Sequence, residues 1–547
     1  MRRPGRLVTL VVALVVALVA AACVEPLPEE AGDDASPETT ESAPDESSPT
    51  TPGEDPDDTP GQTPDESDPI EEPESPRPDL EPLLIDALGN VGGRWALSRG
   101  HEVAVVDLAS MLETVVDGGG PVVGGGSDGQ GDIVATQPSW SADGLQLAWS
   151  AMPADGIGVA QIRSNDGSVP WSPDTHLAAD LPANPAFYLH WGVDSLLALA
   201  PSADGRQLTT FYVDTEGRAL PVTEGAPTAL SWSPDGSRAL IGTDLATVGL
   251  FDPASGRATV EPLVSTAARF SVPAWTDDRT FAVRVGDRLL QMSAAGEEIT
   301  ELLRLEGPMR MVATADGSQI AFAGFLEGED ATIASPPLRI LDVADGDLTT
   351  VTDSLAVAWE WSADGDRLAY LADASVERIA TVSFQTSRDD DPDTTDPDTP
   401  DPDSTDPDST DPDGEPGSEA GVDPLQLLLT GQELRWHFYF DGALQNATSP
   451  FVPTVVDTAA YLPFFQQYAV SHARWSPGGE AFVFAGTVPD PDTTGPDSTD
   501  PGADETTATV GAHVHFVELI APSFWVTPAD VVFWSPNGGG GAAQSPA

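Results

Sequence analysis

The sequence predicts an all-β protein that folds as a ring of repeated four-stranded units. A short motif, Trp-Ser-x-Asp-Gly followed by an apolar segment, recurs along the chain. The tryptophans Trp140, Trp191, Trp232 and Trp275 are spaced 51, 41 and 43 residues apart. Four short strands repeated at such a period are typical of the blades of a β-propeller. We therefore predict a single propeller over residues 81–540.

Each copy of the motif is predicted to form two strands and the turn between them. Asp-Gly favours positive φ angles, and we expect it to make a two-residue hairpin turn. The aromatic and apolar residues on either side favour strands. Segments such as Val248–Asp252 supply a third strand, and a fourth follows. Copies, some of them degraded, begin at Trp140, Trp191, Trp232, Trp275, Ala313, Trp361 and Trp475.

The two ends of the propeller are predicted to share one blade. Arg94–Val116 has strand-forming residues but lacks the motif, which reappears as Val531–Asn537. We expect this C-terminal strand to complete the first blade and close the ring, which removes open sheet edges. The composite blade and seven later hairpins predict eight blades. Seven is the alternative, because the 114 residues between Trp361 and Trp475 are irregular.

The Trp-Ser-x-Asp-Gly repeat resembles that of TolB and related bacterial propeller proteins, over most of residues 81–540. The resemblance implies the propeller fold and, by analogy, a scaffold or transport-accessory role in the cell envelope. Such repeats are structural, and one fold hosts many functions. We therefore expect the repeated tryptophans to pack between blades.

The N-terminus has the anatomy of a secretory signal. Arg2, Arg3 and Arg6 precede the apolar run Leu7–Val19, which is too short to span a bilayer comfortably. The small residues before Cys23, the only cysteine, resemble a bacterial lipoprotein box. We predict a signal peptide over residues 1–22 and lipidation of Cys23, which would hold the protein on the outer face of a membrane. An ordinary signal peptide with an incidental cysteine is the alternative.

The charge of the chain is strongly negative, at −66, with 89 acidic residues against 23 basic ones. Acidic residues number 20 in Val24–Leu80, 15 in Asp389–Asp423 and six in Pro489–Glu505. We predict a disordered tether over residues 23–80, disordered insertions at 386–423 and 488–509, and a disordered tail at 541–547. Such a charge argues against nucleic-acid partners and against docking on anionic lipid.

The aromatic-rich segment Gly431–Arg474 is the strongest departure from the repeat, and part of it resembles a block in some TolB-like bacterial proteins. It leads into an inner strand, so we expect it near the mouth of the central channel. We predict a binding surface for a partner protein or envelope polymer. Its candidate residues are Arg435, His437, Phe464, Phe465, Gln467, Tyr468 and His472. The alternative is that these aromatics pack in the core of a blade junction.

No catalytic constellation emerges from the sequence. Gly125–Gly129 matches the nucleophile pattern G-x-S-x-G but lies in a glycine-rich loop without a following helix. His513 and His515 would share one face of a strand, yet spacing indicates no third ligand. We expect neither metal nor cofactor, and binding rather than catalysis. Propeller hydrolases and carbohydrate-active enzymes assemble sites from distant blades, so a secreted enzyme stays open as an alternative, as does a surface spacer or adhesin.

Overall fold

The computed structural model describes residues between 82 and 536, with gaps of which the longer ones are 118–132, 154–159, 166–176, 266–271, 375–432 and 489–509. The predicted signal peptide, Cys23, tether, tail and G-x-S-x-G segment lie outside the described residues. So do both acidic insertions, apart from residue 488. The described part is all-β with few helices, as predicted. None of its helices combines the length and the apolar character needed to cross a membrane.

The strands are short and follow one another in antiparallel order. In the first half of the chain they are β1 (Arg94–Arg99), β2 (Glu102–Asp107), β3 (Leu112–Asp117), β4 (Ile133–Trp140), β5 (Leu147–Pro153), β6 (Ala160–Asn165), β7 (Leu177–Leu181), β8 (Tyr188–Trp191), β9 (Leu196–Pro201), β10 (Leu208–Val213), β11 (Ala219–Gly225), β12 (Leu230–Trp232), β13 (Ala239–Gly242), β14 (Thr247–Phe251) and β15 (Val260–Ser265). In the second half they are β16 (Ala274–Trp275), β17 (Thr280–Val285), β18 (Arg288–Ser293), β19 (Glu298–Ala313), β20 (Gln319–Leu326), β21 (Leu338–Asp342), β22 (Leu348–Thr352), β23 (Ala356–Trp361), β24 (Leu368–Asp373), β25 (Leu434–Phe440), β26 (Ala443–Ala447), β27 (Val452–Pro453), β28 (Ala481–Thr487), β29 (Gly511–Phe516), β30 (Phe524–Thr527) and β31 (Val531–Trp534).

These strands form a propeller-like ring of seven antiparallel sheets. In ring order, sheet 1 is β31-β1-β2-β3, sheet 2 is β4 to β7, sheet 3 is β8 to β11 and sheet 4 is β12 to β15. Sheet 5 is β16 to β22, sheet 6 is β23 to β26 and sheet 7 is β27 to β30. Contacts between sheets join β31 to β4, β4 to β8, β8 to β12 and β19 to β23, so these strands lie innermost in their sheets. In sheet 7 it is β28 that contacts β31.

The predicted closure of the ring is confirmed. β31 pairs with β1 in antiparallel register, with Trp95 opposite Trp534 and Ser98 opposite Val531. The rings of Trp95 and Trp534 meet edge to face at 5.4 Å, and both side chains are buried. The C-terminal strand therefore supplies the innermost strand of the first sheet.

The blade count differs from the eight separate blades expected, because sheet 5 has seven strands. Its strand β19 is 16 residues long. The first part of β19 pairs with β18, and the part from Leu305 onward pairs with β20, across an irregularity between Glu306 and Arg310. The outer strand of one unit thus continues as the inner strand of the next, so the described residues show no separate blades here.

The turns of the repeat also differ from the two-residue hairpin that we expected. In the copy at Trp140, Ser141 N–H bonds to Gln146 O at 2.9 Å, so four residues form the loop. The Asp143 carboxylate accepts a hydrogen bond from the Ser141 hydroxyl at 2.6 Å. Only Gly144 needs positive φ, at 63°. The same pairing occurs at Ser233 with Asp235, Thr314 with Asp316, and Ser362 with Asp364.

The repeated tryptophans hold adjacent units together, in agreement with the packing role expected of them. The indole N–H of Trp232 donates to the carbonyl oxygen of His190, the residue before the tryptophan of the preceding unit, at 3.0 Å. Equivalent bonds run from Trp191 to Ser139, Trp275 to Ser231, Trp361 to Val312 and Trp475 to Glu360. Each is a buried indole with its one donor satisfied, which is what a buried tryptophan requires.

The ring has two distinct faces. On the turn face, where the repeat turns lie, Trp534 Nε1 donates to Gly92 O at 3.3 Å, and Ser535 contacts Gly144 O at 3.4 Å. The helix α1 (Pro82–Val91) therefore leads into the ring from the turn face, with Leu84 and Leu88 buried against sheets 1 and 7. The opposite face, which we call the mouth face, carries the connections that enter the innermost strands.

The described residues that flank both predicted acidic insertions lie on the mouth face of the ring. The two chain segments that flank the first insertion are joined by a hydrogen bond from Ala374 N–H to Glu433 O at 3.1 Å, just beyond the ends of β24 and β25. The second leaves after β28, whose last residue Thr487 pairs with Val452. Because Leu434 in turn pairs with Phe451, the segments that flank the two insertions lie side by side.

Candidate functional site

Residues 454–472, which we call the channel insert, interrupt the innermost strand of sheet 7. Before the insert, β27 pairs with the mouth-face end of β28. After the insert the chain returns to the same edge, where Trp475 pairs with Phe482 and Val483 N–H bonds to Arg474 O at 2.9 Å. One strand position is therefore filled by two separate pieces of chain.

The insert itself is helical but irregular. Asp457–Tyr461 form a π-helical turn, Leu462–Phe464 a 3₁₀ turn, and Phe465–Tyr468 a single α-helical turn, α2. Pro463 stands in the first turn of its segment, where a missing N–H leaves no intrahelical bond unmade. The Ser471 hydroxyl closes the last turn by donating to Gln467 O at 3.0 Å.

Hydrogen bonds fix the insert to sheet 3 across the ring. The Tyr468 hydroxyl donates to the carbonyl oxygen of Phe187 at 2.7 Å, and the Tyr188 hydroxyl donates to the carbonyl oxygen of Gln467 at 3.0 Å. The rings of Tyr188 and Tyr468 also meet edge to face at 5.1 Å. All these groups are buried, so the bonds form away from competing water.

The insert also contacts the inner strands of three further sheets. The contacts are Gln466 Oε1 accepting from Met311 N–H of sheet 5 at 2.9 Å, Phe465 against Trp359 of sheet 6 at 4.6 Å, and His472 against Phe533 of sheet 1 at 4.7 Å between ring centroids. Since the inner strands of separate sheets surround the centre of the ring, the insert fills the central channel at this level.

A buried ionic cluster joins the insert to sheets 6 and 7. Arg474 Nη2 lies 2.7 Å from Asp457 Oδ1, and its guanidinium stacks 3.7 Å above the centre of the Tyr461 ring. Glu360 Oε1 accepts from the backbone N–H of Arg474 at 2.7 Å, and Oε2 accepts from the Tyr461 hydroxyl at 3.1 Å. Glu360, Asp457 and Arg474 are each no more than 2% exposed.

A second buried polar chain connects two histidines through the insert. His190 Nδ1 and the Ser471 hydroxyl lie 3.2 and 3.1 Å from the Tyr188 hydroxyl, and Ser471 Oγ lies 2.6 Å from His472 Nδ1. Burial lowers the pKa of His190 to about 4. Burial, with His190 and Arg474 nearby, lowers the pKa of His472 well below its usual range. Both imidazoles are therefore neutral at pH 7.

The structure places the predicted binding residues mostly inside the molecule. Phe464, Phe465, Gln467, Tyr468 and His472 lie together in the insert, and all but the half-buried Phe464 are buried. Their hydrogen bonds and ring contacts are made within the protein, as the core-packing alternative requires. In the present conformation these four buried side chains are not open to a partner.

The other two predicted residues lie on β25 of sheet 6, outside the insert. His437 is buried, and its ring stacks on Tyr370 at 5.0 Å. Desolvation first, and the neighbouring Arg435 second, lower the pKa of His437 to about 4. Arg435 is partly exposed on the same strand.

Three residues that the sequence reasoning missed organise the site. They are Glu360, Tyr188 and Asp457, and each is buried. For Glu360 a signal was present, because a carboxylate inside the otherwise apolar Ala356–Trp361 predicts a buried charge that needs a partner. For Tyr188 and Asp457 no sequence pattern marks the contact.

The outward surface of the insert is apolar at its two ends. Val455 is 72% exposed and Val470 is 43% exposed. Phe464, which lies between the two valines in the sequence, is half-buried and packs against Phe187. Val455 follows Thr454, whose hydroxyl donates to Asp530 O at 2.6 Å just before β31 begins. Val470 precedes the return into the inner strand. Val455 therefore belongs to the mouth face, and Val470 is exposed at the C-terminal end of the insert.

Two histidines on β29 pack against aromatic rings. His513 stacks on Phe484 at 5.3 Å and His515 on Phe438 at 5.2 Å. Burial lowers the pKa of each to about 4. Among the residues that the structure describes, no group of three or more potential ligands is arranged to hold a metal ion.

A groove of about 220 Å³ lies between sheets 5 and 6, on the turn face. Trp361, Tyr439, Asp366 and Asp441 are among its lining residues, none of which belongs to the insert. Trp361 and Tyr439 are each only 8% exposed, so they offer little ring surface to a ligand.

Comparisons with known proteins give no relative from which a function can be read. No protein-family model matches the chain, and no curated protein sequence matches it. A chain of a mitotic checkpoint complex structure is similar over 51% of this chain and 81% of its own length, with 16% identity and a TM-score of 0.34. Hydrazine synthase of Kuenenia stuttgartiensis is similar over 46% and 77%, with 15% identity and a TM-score of 0.31. A eukaryotic initiation factor is similar over 81% and 98%, with 9% identity and a TM-score of 0.42. Such weak likenesses carry no argument about activity or partners.

Proposed function

We propose that this protein is an exported, lipid-anchored β-propeller that binds a partner protein at its mouth face. The role would be that of an envelope scaffold or transport accessory, as the resemblance of its repeat to TolB-like proteins implies. The observation that carries the binding surface is the pair of exposed valines, Val455 and Val470, at the ends of the channel insert. Exposed apolar side chains on a rigid, internally bonded platform suit protein recognition.

The filled channel favours binding over catalysis at the centre of the ring. Two carboxylates, Glu360 and Asp457, do converge there, as the alternative function of a hydrolase would require. However, both are buried and both contact Arg474, so a substrate would have to displace the insert to reach them. The outer surface of the insert is available without any such rearrangement.

The test of the surface is a quantitative pull-down from native membranes with two matched variants. Val455→Ser/Val470→Ser removes exposed apolar contact at the two ends of the channel insert, and Leu145→Ser/Val193→Ser does the same in exposed turns of the turn face. We expect the first variant to lose a partner that the wild type and the second variant retain. Equal recovery by all three proteins would contradict the proposed surface. Tyr468 and His472 are unsuitable targets, because replacing buried residues tests stability.

The anchor and the two alternative functions have their own tests. Cys23→Ser should move the protein from the membrane fraction into the medium, and continued retention would count against lipidation. Deletion of residues 386–423 and 488–509 tests the spacer or adhesin reading. If binding to envelope material is lost on that deletion but survives Val455→Ser/Val470→Ser, the acidic insertions carry the function.

A further inference from the structure

The ionic cluster under the channel insert has an unequal balance of charge. One guanidinium, that of Arg474, faces two carboxylates, Asp457 and Glu360. With both carboxylates ionised the cluster would hold a net negative charge in the interior, where isolated charge is costly. A third carboxylate, Asp530, also acts on Asp457 and adds to the repulsion. Tyr461 and the neutral His472 and His190 supply no compensating positive charge.

The contacts indicate which carboxylate holds the extra proton. Asp457 makes the direct ion pair with Arg474, at 2.7 Å. Glu360 meets only the backbone N–H of Arg474 and the hydroxyl of Tyr461. A phenol hydroxyl both donates and accepts, so a protonated Oε2 of Glu360 donates to Tyr461 without losing the contact. Glu360 is therefore the group that can be neutral at little cost.

We propose that seating of the channel insert takes up a proton on Glu360, so that the insert opens more readily as the pH rises toward neutrality. The inference concerns the insert itself and does not depend on the proposed partner. Consistent with it, burial raises the pKa of Glu360 to about 7, against the opposing effects of Arg474 and Tyr461.

The direction of the effect follows from proton binding in the two states. When the insert lifts away, Glu360 meets water and its pKa returns to about 4.3. Between that value and about 7 the open form holds fewer protons than the seated form, so rising pH favours opening. Above about 7 both forms are ionised and the effect levels off. His190 and His472 act in the opposite direction at lower pH, because their pKa values are lowered in the seated form.

The effect is on the frequency of local opening and not on a stable open state. Seating buries Tyr461, Leu462, Phe465 and Tyr468 almost completely. Removal of this much apolar surface from water strongly favours the seated form, so the insert stays seated at any pH near neutrality. Local openings of this kind are measured by hydrogen exchange.

The experiment is hydrogen–deuterium exchange of the full chain at pH 6 and 8, corrected for intrinsic exchange, with peptides covering residues 454–472. Glu360→Gln keeps the shape and the hydrogen bonds but cannot ionise, and Glu261→Gln on an exposed position of β15 is the matched control. From pH 6 to 8 we expect the opening constant to rise about tenfold more in the wild type and Glu261→Gln than in Glu360→Gln. Comparison with Glu360→Gln cancels the contribution of the two histidines.

Two results would overturn the proposal. One is an identical pH dependence in Glu360→Gln and the wild type. The other is a Glu360-dependent change spread evenly over all the sheets, which would mean that the proton reports global unfolding. If Glu360→Gln does not fold, Tyr461→Phe replaces it. Loss of the hydroxyl weakens the ionised form of Glu360, so the pH at which opening levels off should move upward, and an unmoved profile would contradict the proposal.

Discussion

Two arcs of the ring place their polar groups very differently. The plain arc, sheets 4 and 5 over residues 230–352, contains no histidine, and ion pairs such as Arg304 with Glu301 are partly exposed at its surface. The elaborated arc, sheets 6 and 7 with the channel insert, buries Glu360, Asp457, Arg474 and four histidines. The difference teaches that the same repeat can form an arc with buried carboxylates and histidines or, among the described residues, an arc with none. The two arcs should therefore respond differently to pH and to substitution.

The largest difference should appear in acid. The five described histidines, His190, His437, His472, His513 and His515, have pKa values lowered in the folded state, four of them to about 4. An unfolded histidine has a pKa of about 6.5, so between these values the unfolded chain binds more protons. The contribution of these histidines to stability is full above about pH 6.5 and is lost as the pH drops toward 4.

Hydrogen exchange between pH 7 and 4.5 locates this loss. Because four of these histidines lie in the elaborated arc and the fifth faces the insert, peptides from residues 356–374 and 433–519 should lose protection first. Peptides from residues 230–352 serve as the internal control. Simultaneous loss of protection in both arcs would show that the buried histidines do not set the acid limit.

Removal of Arg474 should give the next largest effect. Arg474→Ala leaves the buried carboxylates of Asp457 and Glu360 without their cation, which typically costs about 3–5 kcal/mol. In the plain arc Arg304→Ala breaks a partly exposed pair and should cost under about 1 kcal/mol. Free energies of unfolding from urea titration measure both variants. Similar values for the two would mean that the buried cluster stabilises no more than a surface pair.

Replacement of a turn glycine by alanine should destabilise the protein more in the plain arc than in the elaborated arc, which is the reverse of the order expected for removal of an arginine. Gly317 of the plain arc has φ of 70°, and a Cβ there would overlap the backbone of Thr276. Gly479 of the elaborated arc has φ of 74°, but its nearest neighbour is the Arg367 side chain at 3.5 Å. The left-handed conformation costs a residue with Cβ about 1–2 kcal/mol at either site. At Gly317 the overlap adds about 1–3 kcal/mol. Equal thermal shifts for Gly317→Ala and Gly479→Ala would contradict the overlap.

The smallest difference is expected along the tryptophan hydrogen bonds, which the two arcs share. Trp275→Phe and Trp475→Phe each remove an indole donor from a buried carbonyl, at 3.0 and 3.2 Å in the native protein. Each should cost about 1–3 kcal/mol. Urea titration of the single variants and the double variant should give additive values, because the sites have no shared partner. A clear excess at Trp475 would show that the insert strengthens the inter-unit bond.

The repeat and the ring closure could be predicted because their information is local. Trp, Ser, Asp and Gly of one copy fix a turn within five residues, and Val531–Asn537 supplies the motif that the N-terminal unit lacks. The joined sheet was not foreseen, since nothing in Glu298–Ala313 announces that one strand serves two units. The predicted type of hairpin turn was wrong. The turn is stabilised by a hydrogen bond from the serine hydroxyl to the aspartate, and it does not use a second residue with positive φ.

The candidate site could be predicted only as a region. Gly431–Arg474 includes the channel insert, but the sequence does not distinguish an aromatic residue that faces a partner from one that fills a channel. The deciding contacts are distant along the chain: Tyr188 meets Gln467, 279 residues away, and Glu360 meets Arg474, 114 residues away. Such pairings depend on the assembled ring and leave no periodic trace.

The shared first sheet has a consequence for how the chain reaches its native state. β1 is the first of the described strands to be synthesised, yet its inner edge is completed only by β31, the last of them. A loop of more than four hundred residues must close before Trp95 meets Trp534. Until then an unpaired strand edge is exposed, which invites pairing with other chains. We therefore expect folding to be slow, to be completed only after β31 has been synthesised, and to be sensitive to any truncation of β31.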